Sequence, residues 1–188
     1  MLRKPLTLTK TKIPAVGMGI AAMMLVVTAS NYLVQFPIND WLTYGALTYP
    51  IAFLVTDLTN RCLGSAQARR VVIWGFALAV VLSLWLATPR IALASGVAFL
   101  SAQLLDIVVF NRLRQQRWWK APLISSSAAS TLDTALFFSL AFAGTGLPWM
   151  TWALGDLGCK LLIAGLLLLP FRLLVPVLVP TPKPDTAN

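Results

Sequence analysis

Residues 13–36, "IPAVGMGIAAMMLVVTASNYLVQF", contain no charged side chain, and neither do residues 71–87, "VVIWGFALAVVLSLWLA". Runs of this length constrain a chain more than anything else in its sequence, because about 20 apolar residues wound as a helix cross the roughly 30 Å of a bilayer's hydrocarbon. Four more runs of similar character follow. The spans read at about 13–36, 41–60, 71–87, 91–110, 121–143 and 149–169. Soluble domains carry about a quarter charged residues, whereas this chain of 188 residues is 58% hydrophobic and only 11% charged, with a mean hydropathy of +0.78. The reading is an all-α polytopic membrane protein with about six transmembrane helices in one bundle over residues 13–171. A basic segment, 1–12, precedes it, and a tail, 172–188, follows; the end of the tail, "PTPKPDTAN", is polar, rich in Pro and expected to be partly disordered. The first run is too long for a signal-peptide core and is read as a retained helix.

A net charge of +9 in a soluble protein would suggest nucleic acid. Here the distribution argues otherwise. Arg3, Lys4, Lys10 and Lys12 precede the first span. Arg61, Arg69 and Arg70 lie in the second loop, and Arg112, Arg114, Arg117 and Lys120 in the fourth. Arg172 and Lys183 follow the last span. Thirteen of the fifteen basic residues thus fall on alternate sides of the chain, with Arg90 alone on the other side and Lys160 inside a span. By the positive-inside rule both termini and the basic loops face the cytoplasm of a multi-pass membrane protein. The expected partners are the lipid bilayer and a small molecule, not nucleic acid, and a homo-oligomeric state is left open.

The chain has no His and no Glu, which removes most zinc and iron sites and the usual general base. Cys62 and Cys159 lack any paired spacing and read as ordinary small residues. No G-x-x-x-x-G-K-[ST] stretch supplies a P-loop. No cofactor and no metal are expected.

All six acidic residues are Asp, and Asp57, Asp106, Asp133 and Asp156 fall within apolar spans. Each would cost roughly 2.5–3.5 kcal/mol at a lipid-facing helix centre, so each should face the bundle interior or a wet cavity. The helical period supports this. Phe99, Gln103, Asp106 and Phe110 share one face of the fourth span, within an arc of about 60°. Ser126, Ser130, Asp133 and Phe137 do so in the fifth, and Trp149, Trp152, Asp156 and Lys160 in the sixth. Met24, Thr28, Asn31 and Gln35 align in the first span; Tyr49, Phe53, Thr56 and Asn60 align in the second, with Pro50, Asp57 and Arg61 along its flank. The third span has no such stripe and reads as a peripheral helix. Pro50 frees the carbonyl of Ala46 and should bend the second helix.

A plainer reading applies to part of this inventory. Small residues at four-residue spacing, such as Ser126, Ser130 and Thr134, serve close helix packing. Asp156 with Lys160, and Asp57 with Arg61 beside Asn60, are each spaced as i, i+4 pairs suited to structural pairing or gating. Asp106 and Asp133 have no basic residue within a turn on their own helix, which leaves them as candidates for direct recognition. Carboxylates, the amides Gln103 and Asn31, and the aromatic faces of Phe99, Phe137, Tyr49 and Phe53 would suit a small, flat, polar ring. A carboxylate accepts two hydrogen bonds from adjacent N–H groups such as those of a guanine-like edge. Spacing alone does not select that ring over another compact organic solute.

The segments "ASNYLVQFP", "TYPIAFLVTDLTNRCLGSAQARR", "AQLLDIVVFNRLRQQRWWKAP" and "STLDTALFFSLAF" closely resemble the queuosine precursor transporter family, also called vitamin-uptake-transporter-like, in the same order over roughly residues 29–171. "NRLRQ" and "WW" look like its proteobacterial branch. The resemblance implies a six-helix inner-membrane importer of 7-cyano-7-deazaguanine or 7-aminomethyl-7-deazaguanine, salvaged for queuosine in tRNA. Many members carry Asn-Glu after the second-helix Asp; here the pair is Asn60-Arg61, so the resemblance carries no acidic role to position 61. Two rival classes frame this reading. One is a substrate-binding subunit of an ATPase-driven vitamin-type uptake complex, similar in size and topology. The other is an intramembrane aspartyl protease, to which "ALGD" ending at Asp156 is similar, but whose partner Tyr-Asp motif is absent and for which Lys160 would compete.

Overall fold

The computed structural model describes residues 9–33, 36–39, 41–83 and 89–178. Gln35, the arginines and lysines of residues 1–8 and the tail from residue 179 lie outside the described residues. Within them the chain forms eight helices and one small hairpin: α1 (Thr9–Leu33), β1 (Pro37–Asn39), β2 (Leu42–Thr43), α2 (Tyr44–Thr48), α3 (Ile51–Leu63), α4 (Ser65–Ser83), α5 (Pro89–Leu113), α6 (Lys120–Phe142), α7 (Trp149–Leu166) and α8 (Leu168–Leu178). Three helical stretches, Ala15–Leu33, Pro89–Leu113 and Lys120–Phe142, are long and apolar enough to cross a membrane, and α7 with α8 makes a fourth if the pair is one bent span.

The polarity of the molecule is inverted relative to a soluble protein. Asp57, Gln103, Asp106, Asp133 and Lys160 are buried, while Leu25, Leu93, Leu154 and Val177 are each about 70% exposed. Large apolar side chains turned outward over the whole surface would be an aggregation hazard in water. In hydrocarbon they are the solvent-matched face, and the buried polar groups are the ones that need partners. The chain is an all-α, multi-pass membrane protein.

The connections follow local chemistry. Asn39 Oδ1 accepts from the backbone N–H of Trp41 (2.8 Å) and Leu42 (2.9 Å), closing the hairpin turn that sequence periodicity did not anticipate. Thr43 caps α2 by accepting from Ala46 N–H. Pro50 then divides the expected second span more severely than a bend: α2 ends at Thr48 and α3 begins at Ile51. The freed Ala46 carbonyl faces Cys159 Sγ of α7 at 4.0 Å. Gly64, with φ of +92°, turns α3 into α4 in a conformation only glycine adopts readily. The sixth span is also broken. Pro170 lacks the N–H that would bond the Leu166 carbonyl, and α7 and α8 diverge by 43°. Residues 172–178, expected in the tail, continue α8 instead.

α5 and α6 form the most extensive helix pair, with Ala94, Ala98, Ala102, Ala121, Ser125 and Ala129 buried on their small-residue faces. That composition lets backbones approach closely, the main source of helix association in lipid. α4, read from sequence as peripheral, packs its Ala68, Val71 and Val72 with Met23 and Val27 of α1 and Phe99 of α5. Its opposite face, Ile73 and Trp74, is exposed. It lies at the edge of the bundle but contributes to its core, and none of its described polar side chains is buried.

The ends of the helices sort by charge. Arg61 Nη1 donates to the Arg114 carbonyl (3.0 Å) and Arg114 Nη2 to the Arg61 carbonyl (2.7 Å), clamping the ends of α3 and α5 together. Arg172 of α8 stacks on Trp118 near the same end. About 35 Å away along α5, Arg90 donates to the carbonyls of Leu140 (3.1 Å) and Ala143 (2.7 Å), where the negative end of the α6 dipole favours a cation. The early part of α1 lies at the Arg61 end, with Gly19 against Val71 and Thr59, as does Val175 of α8, packed near Phe110 and Leu113.

Candidate functional site

The four intramembrane aspartates fall into two groups at different heights, and the grouping differs from the one spacing suggests. In the first group, Lys160 Nζ of α7 lies 2.8 Å from Asp133 Oδ2 of α6 and 2.5 Å from Asp156 Oδ2 one turn earlier on its own helix. The expected Asp156–Lys160 pair is therefore present, but Asp133 joins it. The Thr134 hydroxyl donates to Asp156 Oδ2 (2.8 Å) and stands 3.2 Å from Lys160 Nζ. Tyr49, at the α2–α3 break, donates its hydroxyl to Asp133 Oδ1 (3.3 Å) and presents its ring to the Lys160 ammonium, 5.3 Å from the centroid. Both Asp133 oxygens are thus engaged. One lysine against two carboxylates leaves the group one negative charge in excess when all three are ionised, and Lys160 keeps a partner in Asp156 if Asp133 turns to something else.

The second group is Asp57 of α3 with Asp106 of α5. Asp57 was expected to pair with Arg61; it does not. Arg61 lies one turn later but extends to the end of the bundle, where the Arg114 carbonyl satisfies it. Asp57 instead accepts from Ser126 Oγ (Oδ2, 3.2 Å) and Ser125 Oγ (Oδ1, 3.4 Å) of α6. Asp106 was expected near Asp133, and it lies here instead. Asn60, one turn after Asp57, donates to the carbonyl of Ile107 (3.4 Å), so it packs beside Asp106 and not with Arg61. The sequence signal that could have located this group is the serine pair at 125 and 126, whose hydroxyls are suited to a neighbouring helix's carboxylate.

Gln103 lies between the groups, one turn from Asp106 and one turn from Phe99 on α5. Its Oε1 accepts from Thr56 Oγ1 (2.5 Å), while its Nε2 is buried without a hydrogen-bond partner among the described residues, as is the Ser130 hydroxyl. Unpaired buried polar groups are costly, so two of them between two acidic groups mark a place where a polar ligand gains more than it loses. A narrow cleft of about 10 Å³, room for one water, opens beside Asp57, Ser126 and Ser130, between Phe53 on one side and the α7–α8 break on the other.

The aromatic residues divide as well. Tyr49 and Phe53 adjoin this polar axis. Phe99 is 1% exposed and stacked on Phe76 (5.3 Å between centroids), with its edge against Tyr49 (5.9 Å), so it supports Tyr49 and has no free face for a ligand. Phe137 lies one turn beyond Asp133 in a cluster with Phe138 and Phe142. Asn31 is half-buried on α1 next to Ser30, whose hydroxyl meets Thr48 Oγ1 at 3.0 Å.

A helical membrane protein whose interior holds partly satisfied carboxylates, amides and hydroxyls, with broken helices at the same depth, has the anatomy of a solute transporter. Residues 43–88 and 83–175 match the family model described as "Putative vitamin uptake transporter", and the chain belongs to this vitamin uptake transporter family. It is 39% identical to the queuosine precursor transporter of Escherichia coli K12, over 78% of this chain and 80% of that one. It is 37% identical to the probable queuosine precursor transporter of Haemophilus influenzae, with the same coverage. The probable queuosine precursor transporter of Bacillus subtilis is 27% identical over 54% of this chain and 57% of its own. No solved structure matches the chain significantly.

Proposed function

We propose that this protein imports queuosine precursors, 7-cyano-7-deazaguanine and/or its 7-aminomethyl relative, across the bacterial cytoplasmic (inner) membrane. The observation that carries the reading is the match to transporters bearing that name at 37–39% identity over most of the chain, joined to an interior able to read a guanine-like edge. In this reading α1, α2–α3, α4, α5, α6 and α7–α8 are six spans. Both termini are cytoplasmic, an orientation supported by the gathering of Arg61, Arg114 and Arg172 opposite Arg90.

Asp133 is the recognition carboxylate. The substrate's ring N–H and amino group take its two oxygens from Lys160 and Tyr49, while Lys160 remains on Asp156, already 2.5 Å away. The exchange leaves Lys160 paired with Asp156, while the Asp133 carboxylate is held by charge-assisted hydrogen bonds from the ligand's two adjacent donors. Gln103 Nε2, unpartnered in the structure, is the donor for the ring carbonyl, and Tyr49 and Phe53 offer aromatic surface. The test is uptake of labelled 7-cyano-7-deazaguanine by proteoliposomes holding the purified protein alone. Saturable uptake without any ATPase supports an autonomous transporter; uptake that requires an added ATPase and coupling protein supports the substrate-binding-subunit reading instead.

A further inference from the structure

Of the four aspartates within the spans, Asp133 and Asp156 have a lysine, and Asp57 and Asp106 have no cation among the described residues. Asp57 is 2% exposed and Asp106 is fully buried, on turns of α3 and α5 that Asn60 joins through the Ile107 carbonyl (3.4 Å). The described charged groups on the surrounding helices are engaged elsewhere or lie toward the surface, and the Cys62 thiol of α3 is partly exposed. On α3 itself Arg61 is spent on the Arg114 carbonyl, and on α5 Arg114 is spent on Arg61 while Arg112 is exposed. Arg69 and Arg70 of α4 are exposed, and so is Tyr32, the titratable group among the described side chains of α1. α6 offers Asp57 the hydroxyls of Ser125 and Ser126; its Asp133 is held by Lys160, and Lys120 lies half-exposed at its first turn. Arg172 of α8 stacks on Trp118.

Two adjoining carboxylates in a dry interior with no counter-ion cannot both stay ionised, because neither desolvation nor their mutual repulsion is offset. The hydrogen-bond inventory points the same way. Among the described residues both Asp106 oxygens and the Asn60 Oδ1 beside them, on a side chain of zero exposure, have no donor. The cluster is rich in acceptors and short of hydrogens. A proton is the ligand that corrects this, turning one carboxyl into a donor toward the other. The water-sized cleft lined by Asp57 and Ser126 adjoins this site.

We propose that Asp57 and Asp106 form a proton-binding site, sharing one proton, and that this proton travels inward with the substrate. The proton leaves water on the outer side, resides on the carboxyl pair while substrate occupies the Asp133 side of the interior, and returns to water on the cytoplasmic side. No bond other than O–H is made or broken. The coupling rests on the importer reading above; the shared proton does not.

Two measurements separate these. Difference infrared spectroscopy of the purified protein at neutral pH, in H₂O and D₂O, needs no substrate. A protonated-carboxyl band that shifts in D₂O and disappears in both Asp57→Asn and Asp106→Asn is the expected result. No such band, or one unchanged by both substitutions, overturns the proton site. Uptake of labelled 7-cyano-7-deazaguanine into proteoliposomes, with the membrane potential clamped, tests the coupling. One pH unit, alkaline inside, is expected to support up to about tenfold accumulation for one proton per substrate, and Asp57→Asn to reduce the accumulation ratio to about one. Accumulation driven by a sodium gradient and indifferent to pH overturns the coupling. Failure of the substrate reading shows differently, as absence of substrate exchange in the wild type while the infrared band persists.

Discussion

Lys160 Nζ lies 2.8 Å from Asp133 Oδ2, 27 residues away in sequence, within an interior that leaves Lys160 4% exposed. With Asp156 as its second partner, this lysine is the only counter-charge within hydrogen-bonding distance of either carboxylate among the described residues. Lys160→Met is therefore expected to destabilise the protein by about 3–5 kcal/mol, the usual result of stripping one partner from a buried ion pair. Thermal unfolding in detergent measures it. Adding Asp133→Asn and Asp156→Asn should recover much of the loss, and a triple variant no better than the single one would contradict the geometry.

Asp133→Asn keeps one acceptor but presents a donor where a guanine-like edge also donates. Equilibrium binding of 7-cyano-7-deazaguanine is expected to weaken by about 2–4 kcal/mol, roughly 30- to 1000-fold, since an unpaired buried polar group costs about 1–3 kcal/mol and more when charged. A ligand lacking the 2-amino group should lose most of its affinity for the wild type and little more for the variant. Equal sensitivity of both proteins to that deletion would remove Asp133 from the recognition site.

Arg61 and Asp57, although one turn apart, are energetically separate in this structure. Arg61→Ala is expected to cost about 1–3 kcal/mol of stability by releasing the end-to-end clamp with Arg114, hydrogen bonds to a charged donor being worth about that much. It should leave the effect of Asp57→Asn on transport unchanged. A double-mutant cycle is the measurement, and a coupling above about 0.5 kcal/mol would restore the ion pair that spacing suggested.

Gly75 allows α4 to lie against α1. A Cβ there would stand 2.6 Å from Met23 Cγ, near the root of a fully buried side chain that cannot swing away. Gly75→Ala is expected to destabilise by about 1–3 kcal/mol as an overpacked contact, and Gly75→Val by more. Gly165, whose Cβ would meet nothing within 4 Å, provides the control: Gly165→Ala should be close to neutral in the same unfolding assay.

A periplasm-active reporter fused after Asn188 should be inactive, and one inserted at Gly146, in the connection beside Arg90, should be active. The reverse pattern would place the basic loops outside and invert the direction assigned to transport.

The class of this protein was legible in the sequence because it follows from one-dimensional quantities. Span length, scarcity of charge and alternation of basic loops do not depend on how helices rotate against each other. The 3.6-residue period likewise put Asp57, Asp106, Asp133 and Asp156 on inward faces, and they are inward. Partnership was not legible, because it depends on the relative height and rotation of different helices. Spacing paired Asp57 with Arg61, but Arg61 is long enough to reach the Arg114 carbonyl at the bundle end, where its charge loses less hydration. Spacing left Asp133 unpaired, but the crossing of α6 and α7 brings Lys160 to it. Pro50 announced a bend, and the break between α7 and α8 was not read from the sequence; only packing decided that the first would place Tyr49 over Lys160 and the second would line the cleft beside Asp57.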